Sequence, residues 1–138
     1  MTVVLGYDES AGSVRALHVA VEVSAAFGDP LVLVYGAAAP GSLGEEYAAH
    51  HQALVDAGRS ALRHAVEVAD EAGVPTTVEI IDEKPAQALL VAAARHRARV
   101  IVVGSWGESP MRGALLGSTP HKLLHLSRIP VLCVPTEE

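Results

Sequence analysis

The sequence predicts one α/β domain over residues 1–138, a doubly wound, five-stranded parallel sheet with helices on both faces. Three observations point there. Five short apolar runs alternate with helix-length segments, the order expected of parallel strands joined by crossover helices. Three of these runs are apolar throughout, as in strands covered on both sides. Half of the 138 residues are apolar but only 4% are aromatic, so the core must be built from Val, Leu, Ile and Ala. The length suits one domain with a sizeable core and is short for two.

The first strand is read at Val3-Val4-Leu5-Gly6-Tyr7. A helix follows from Ser13 to Phe27, with Leu17, Ala20, Val21 and Ser24 on one face. Leu31 to Tyr35 is the second strand. Helical spacing of Leu54, Gly58, Ala61, Ala65, Val68 and Ala72 predicts a long helix from about Glu45 to Ala72, stopped by Gly73 and Pro75. Thr77 to Ile81 carries Glu79 in mid-run and is therefore assigned to a sheet edge. Pro85 opens a third helix with Leu89, Leu90 and Ala93 inward. Val100 to Val103 is the fourth strand. Pro120 is expected to open a fourth helix capped by Ser118 or Thr119. Val131 to Val134 closes the sheet after Pro130, where a missing N–H does little harm.

Composition bounds the function. No apolar run approaches the roughly 20 residues of a membrane span, and the first residues lack the basic stretch of a signal peptide. Cys133 is the single cysteine, so no intrachain disulfide forms and a cytoplasmic location is expected. A formal net charge of -6 argues against a broad nucleic-acid or anionic-membrane surface. It does not argue against a phosphate pocket built from backbone N–H groups.

Ligands of doubly wound sheets sit beyond the C-terminal strand ends. That directs attention to Tyr7 to Ser10, Gly36 to Ala38 and the chain from Gly104 onward. Gly104-Ser105-Trp106-Gly107 is followed by nine residues and then Gly117-Ser118-Thr119. Glycines let backbone amides approach a ligand closely. The second cluster also precedes a helix, where unpaired N–H groups and the helix dipole favour an anion. A mobile loop with an ordinary helix cap is the plainer alternative for glycines alone.

The spacing matches the G-x2-G-x9-G-[S/T] loop of universal stress proteins that bind ATP, and the resemblance covers almost the whole chain. Val3 to Ser10 resembles that family's first strand with its Asp and Ser. Lys84-Pro85-Ala86 resembles the entry to its third helix, and Ile129 to Val134 its closing strand. The resemblance implies a strand order of 3-2-1-4-5 and an adenine nucleotide alpha hydrolase-like fold. It also implies nucleotide-binding residues at Tyr7, Asp8, Gly36, Val103, Gly104, Gly107, Gly117, Ser118 and Thr119. In that reading the glycine loop takes the phosphates, Asp8 the sugar or base, and the backbone near Gly36 borders the adenine. The implied cofactor is ATP, with or without Mg²⁺, and the implied assembly a homodimer through strand 131–134. Asp8 has a second account, as a cap of the following turn. The family pattern is departed from at Trp106, at Glu108, where a carboxylate stands in place of a cation, and at Pro120, which removes a hydroxyl and an N–H.

Other constellations carry less. There is no P-loop lysine and no nucleophile elbow, so an enzyme is not expected and any ATP hydrolysis should be slow. His121 and His125 stand four apart on the fourth helix without the Glu of a zinc motif, and no metal site is assigned. The same holds for His50 and His51, near the start of the long helix in a region that a loop reading also fits. The Arg95, Arg97, Arg99 and His96 cluster fits a helix C-terminus, and Cys133 is read as core. A response-regulator receiver domain would also have five parallel strands, with Asp8, Asp82 and Ser105 as candidates, but Val134-Pro135 stands where its lysine belongs. Two readings stay open: a nucleotide-binding regulatory or stress-response protein, and a ligand-free dimeric interaction module.

Overall fold

The computed structural model describes residues 1–38, 45–105 and 116–136. Its elements run β1 (Thr2–Gly6), α1 (Ala11–Phe27), β2 (Leu31–Gly36), α2 (Glu45–Glu71), β3 (Thr76–Ile81), α3 (Pro85–Arg95), β4 (Ala98–Gly104), α4 (Ser118–Leu126) and β5 (Val131–Val134). All five strands join one sheet in the order β3-β2-β1-β4-β5, and every pairing is parallel. The expected order is therefore the observed one. Val4 pairs with Val32 on one side and Ile101 on the other, which puts the most apolar strands at the centre.

Alternate residues of these strands feed two cores. Val3, Leu5, Leu31, Leu33 and Val102 pack with Leu17 and Ala20 of α1 and Leu62 and Ala65 of α2. Val4, Val32, Val34, Ile101 and Val103 pack with Leu89 and Ala92 of α3 and Leu123 of α4. Burial on both sheet faces explains why the runs are apolar without alternation.

Helix ends differ from the sequence reading in instructive ways. Ser10 is the N-cap of α1, extended at ψ 157°, and its Oγ accepts the Ser13 N–H at 3.3 Å. The helix thus begins at Ala11, ahead of Ser13. It ends on Gly28, whose left-handed φ of 69° places its N–H on the Ser24 carbonyl. The cap of α4 is Gly117, not Ser118 or Thr119, and Pro120 is the third helical residue. Proline is tolerated throughout a first turn because those N–H groups have no helical acceptor, so Pro120 alone does not mark the start. His50 and His51 lie within α2 rather than in a loop.

The chain reverses across the sheet at β1. α1 covers one face and α3 the other, so the C-terminal ends of β1 and β4 are left open between them. This is the switch point at which such sheets hold ligands.

Candidate functional site

A cleft of about 400 Å³ opens at that point. It is lined from β1 and its turn by Gly6, Tyr7, Asp8, Ser10 and Ser13, from β2 by Val34, Tyr35 and Gly36, and from α3 by Pro85 and Leu89. Val103 and Gly104 of β4 and Gly117 to Pro120 at the start of α4 complete it. Eight of the nine expected residues therefore line one cavity: Tyr7, Asp8, Gly36, Val103, Gly104, Gly117, Ser118 and Thr119. Gly107, with Trp106, Glu108 and Arg112, lies outside the described residues.

One hydrogen bond brings the ends of the glycine segment together, and another ties its start to β5. The Ser105 N–H donates to Val134 O at 2.9 Å, and the Ser105 carbonyl accepts the Gly117 N–H at 2.7 Å. Residues twelve apart in sequence thus sit beside one another at the cleft. Gly104 has a packing reason as well: a Cβ there would fall 2.7 Å from the Gly12 carbonyl carbon at the start of α1. Gly36 is similarly confined, with its would-be Cβ 2.8 Å from Glu83 O.

Asp8 is held in the β1–α1 turn. Its Oδ1 accepts the Ser10 N–H at 3.0 Å, and its own N–H donates to Ser13 Oγ at 3.3 Å. The turn-capping account of Asp8 is therefore realised, and Oδ2 has no partner among the described residues. Between them, Glu9 adopts φ +64°, a left-handed conformation that costs a non-glycine residue about 1 kcal/mol or more. Tyr7 is almost fully buried and its hydroxyl meets His64 Nδ1 of α2 at 2.7 Å. Burial, followed by the Glu9 and Asp8 charges, pushes the phenol up to about 12, so it stays neutral across the physiological range.

Ser13, Tyr35, Pro85 and Leu89 were not among the expected residues. Ser13 was findable, three places beyond a capping serine; the others arrive from distant elements and leave no local motif. Among the described lining residues, Asp8 is the one charged side chain. Ser10 and Ser13 bond to one another and to the backbone, and no histidine is among the described lining residues. The arrangement is suited to holding a polar ligand through backbone donors.

The remaining candidates are placed elsewhere. Arg95 and His96 face Glu79 of β3 at 2.6 and 3.3 Å, and Arg99 bonds Asp29 at 2.6 Å. The basic cluster is thus largely paired. His121 and His125 contact each other edge to face at 4.8 Å, and among the described residues no group of three metal-ligating side chains forms. Cys133 lies in β5, its thiol pushed up by burial. Asp82 follows the edge strand β3, away from the central position a receiver phosphoacceptor would need. No described helix is long and apolar enough to cross a membrane.

The sheet order and the cleft at its switch point define a doubly wound parallel α/β domain with a ligand cleft beyond its C-terminal strand ends. Residues 1–135 match the model of the universal stress protein family, and the chain belongs to that family. It is 39% identical over 77 residues to universal stress protein YxiE of Bacillus subtilis, covering 56% of this chain and 52% of that one. A universal stress protein of Methanocaldococcus jannaschii is 31% identical over 81 residues, covering 59% and 48%. The matched stretch thus spans about half the length of each relative. Among solved structures, the universal stress protein UspA of Lactobacillus plantarum superposes with a TM-score of 0.82 at 19% identity, covering 96% and 97%. A universal stress protein in complex with cAMP superposes at 0.74 with 28% identity, covering 99% and 98%. An Arabidopsis thaliana family member with AMP bound superposes at 0.70 with 17% identity, covering 99% and 93%.

Proposed function

We propose that this protein binds an adenine nucleotide in the switch-point cleft and acts in the cytoplasm as a regulatory or stress-response protein. ATP is the nucleotide that the loop's resemblance to the family pattern implies. Occupancy would govern the contacts made with a partner. The observation that carries this reading is the convergence of Asp8, Gly36, Gly104, Gly117, Ser118 and Thr119 on one cavity. Likeness to the cAMP complex at 28% identity supports it. Hydrolysis is slow in this reading, because the one carboxylate in the described lining, Asp8, is engaged in its own turn.

Isothermal titration of nucleotide-stripped protein against the Gly117→Asp variant tests it. Gly117 has φ -67° and ψ 170°, open to any residue, and Asp is a favoured helix N-cap. The variant should therefore fold at least as well as the parent while placing a carboxylate at the phosphate position. We expect micromolar binding by the parent and its loss in the variant; equal binding by both would remove the phosphates from this loop.

A second reading is a ligand-free interaction module. It is favoured by the engagement of Asp8 within its own turn and by exposed Leu124, Leu126 and Leu132 beside β5. On either reading we propose a homodimer through β5.

A further inference from the structure

Three of the chain's histidines are engaged by neighbours from other elements: His51 by Asp82, His64 by Tyr7 and His96 by Glu79. His121 and His125 differ. They stand one turn apart on α4, a spacing that sends two side chains the same way along a helix. Both are exposed, and neither ring has a hydrogen-bond partner among the described residues. Their rings meet each other edge to face, with centroids 4.8 Å apart and planes at 71°.

That separation has a chemical meaning. An imidazole nitrogen binds a transition-metal ion at about 2.1 Å and lies about 1.1 Å from its own ring centre, so each centre sits about 3.2 Å from a shared ion. Two such rings at a right or a tetrahedral angle have centres about 4.5–5.2 Å apart. The observed 4.8 Å falls inside that range, so the helix backbone already holds the rings at the spacing of a chelate. The ring orientations alone have to adjust, and exposed side chains reorient within nanoseconds. Imidazole suits Zn²⁺ and Ni²⁺, whereas Mg²⁺ and Ca²⁺ take oxygen ligands. No third metal-ligating side chain joins the pair among the described residues, so water or an incoming ligand would fill the other positions. A nine-residue helix without a side-chain bond at its N-cap gains most from a clip across one of its turns.

We propose that His121 and His125 form a surface site for a divalent transition-metal ion that braces α4. The test is calorimetric titration of the full chain with Zn²⁺ and with Ni²⁺ in a non-chelating buffer. A dissociation constant on the order of 10 µM is expected, with no comparable binding of Mg²⁺. His121→Ala and His125→Ala should each weaken binding at least about tenfold, because each leaves a single imidazole, whereas His51→Ala should leave it within about twofold. Both positions are exposed and alanine favours a helix, so the variants should fold. A saturating ion should raise the melting temperature of the parent and leave that of either single variant unchanged. Binding that survives both substitutions places the ion elsewhere on the chain and overturns the proposal. Failure of the folded parent to bind either ion overturns it equally, and neither result bears on the nucleotide reading of the cleft.

Discussion

Tyr7 shows how a single residue links the core to the cleft. It follows β1 directly, lines the cavity and reaches His64 on α2. Because its folded pKa is raised to about 12 from 10.0, the stability tied to its neutral form is complete below the ordinary tyrosine range. It is lost as pH rises from about 10 towards 12. Alkaline unfolding should therefore set in over that window, and Tyr7→Phe should flatten it. Tyrosinate absorbance should show a late-titrating component in the parent that is missing from the variant. Asp29 behaves with the opposite sign. The Arg99 hydrogen bond, opposed in part by burial, holds its carboxyl below the usual range, so its contribution is present above about pH 4 and fades as pH falls further. Asp29→Asn should melt below the parent at neutral pH, and the two curves should converge in acid. Neither pair was legible beforehand, since Tyr7–His64 and Asp29–Arg99 join residues 57 and 70 positions apart. Asp8 and the glycines were legible because their signal is local spacing.

At the level of elements, periodicity and punctuation located all five strands and four helices, and only the ends moved. What the pattern could not supply was the reason for particular glycines. Gly104 was read as room for a ligand, yet it is also the point where β4 meets the backbone of α1 at Gly12. Gly58 on α2 is pressed against Tyr35, with a would-be Cβ 2.6 Å from the ring Cδ1. The two sites should respond differently to alanine. At Gly58 a side chain has to give way, and the helix propensity gained, about 1 kcal/mol, offsets much of the strain. At Gly104 the obstruction is backbone and nothing offsets it, so Gly104→Ala should cost about 1–3 kcal/mol or more. Denaturant midpoints of the two variants check the order. A larger loss at Gly58 would show that the Tyr35 ring is the more rigid neighbour.

For the whole molecule, periodicity yields strands but not their order; the order came from family resemblance, and it decides which strands are edges. β3 and β5 are those edges, and they are unequally protected. β3 carries Glu79, met by Arg95 and His96, and a charge within an edge strand discourages pairing with another chain. β5 is Val131–Val134, with no charge in it and Leu132 37% exposed. A two-fold pair through β5 would cover the open edge and Leu132 together, whereas pairing through β3 would have to desolvate Glu79 and its partners. Light scattering at micromolar concentration should therefore give twice the chain mass. Leu132→Lys should give the single-chain mass with an unchanged far-ultraviolet dichroism spectrum, because the side chain already reaches solvent. A parent that is monomeric, or a variant that still pairs, would move the contact away from β5. A dimer lost together with nucleotide affinity would tie the cleft to the interface through Ser105, which bonds the end of β5 and the cap of α4 at once.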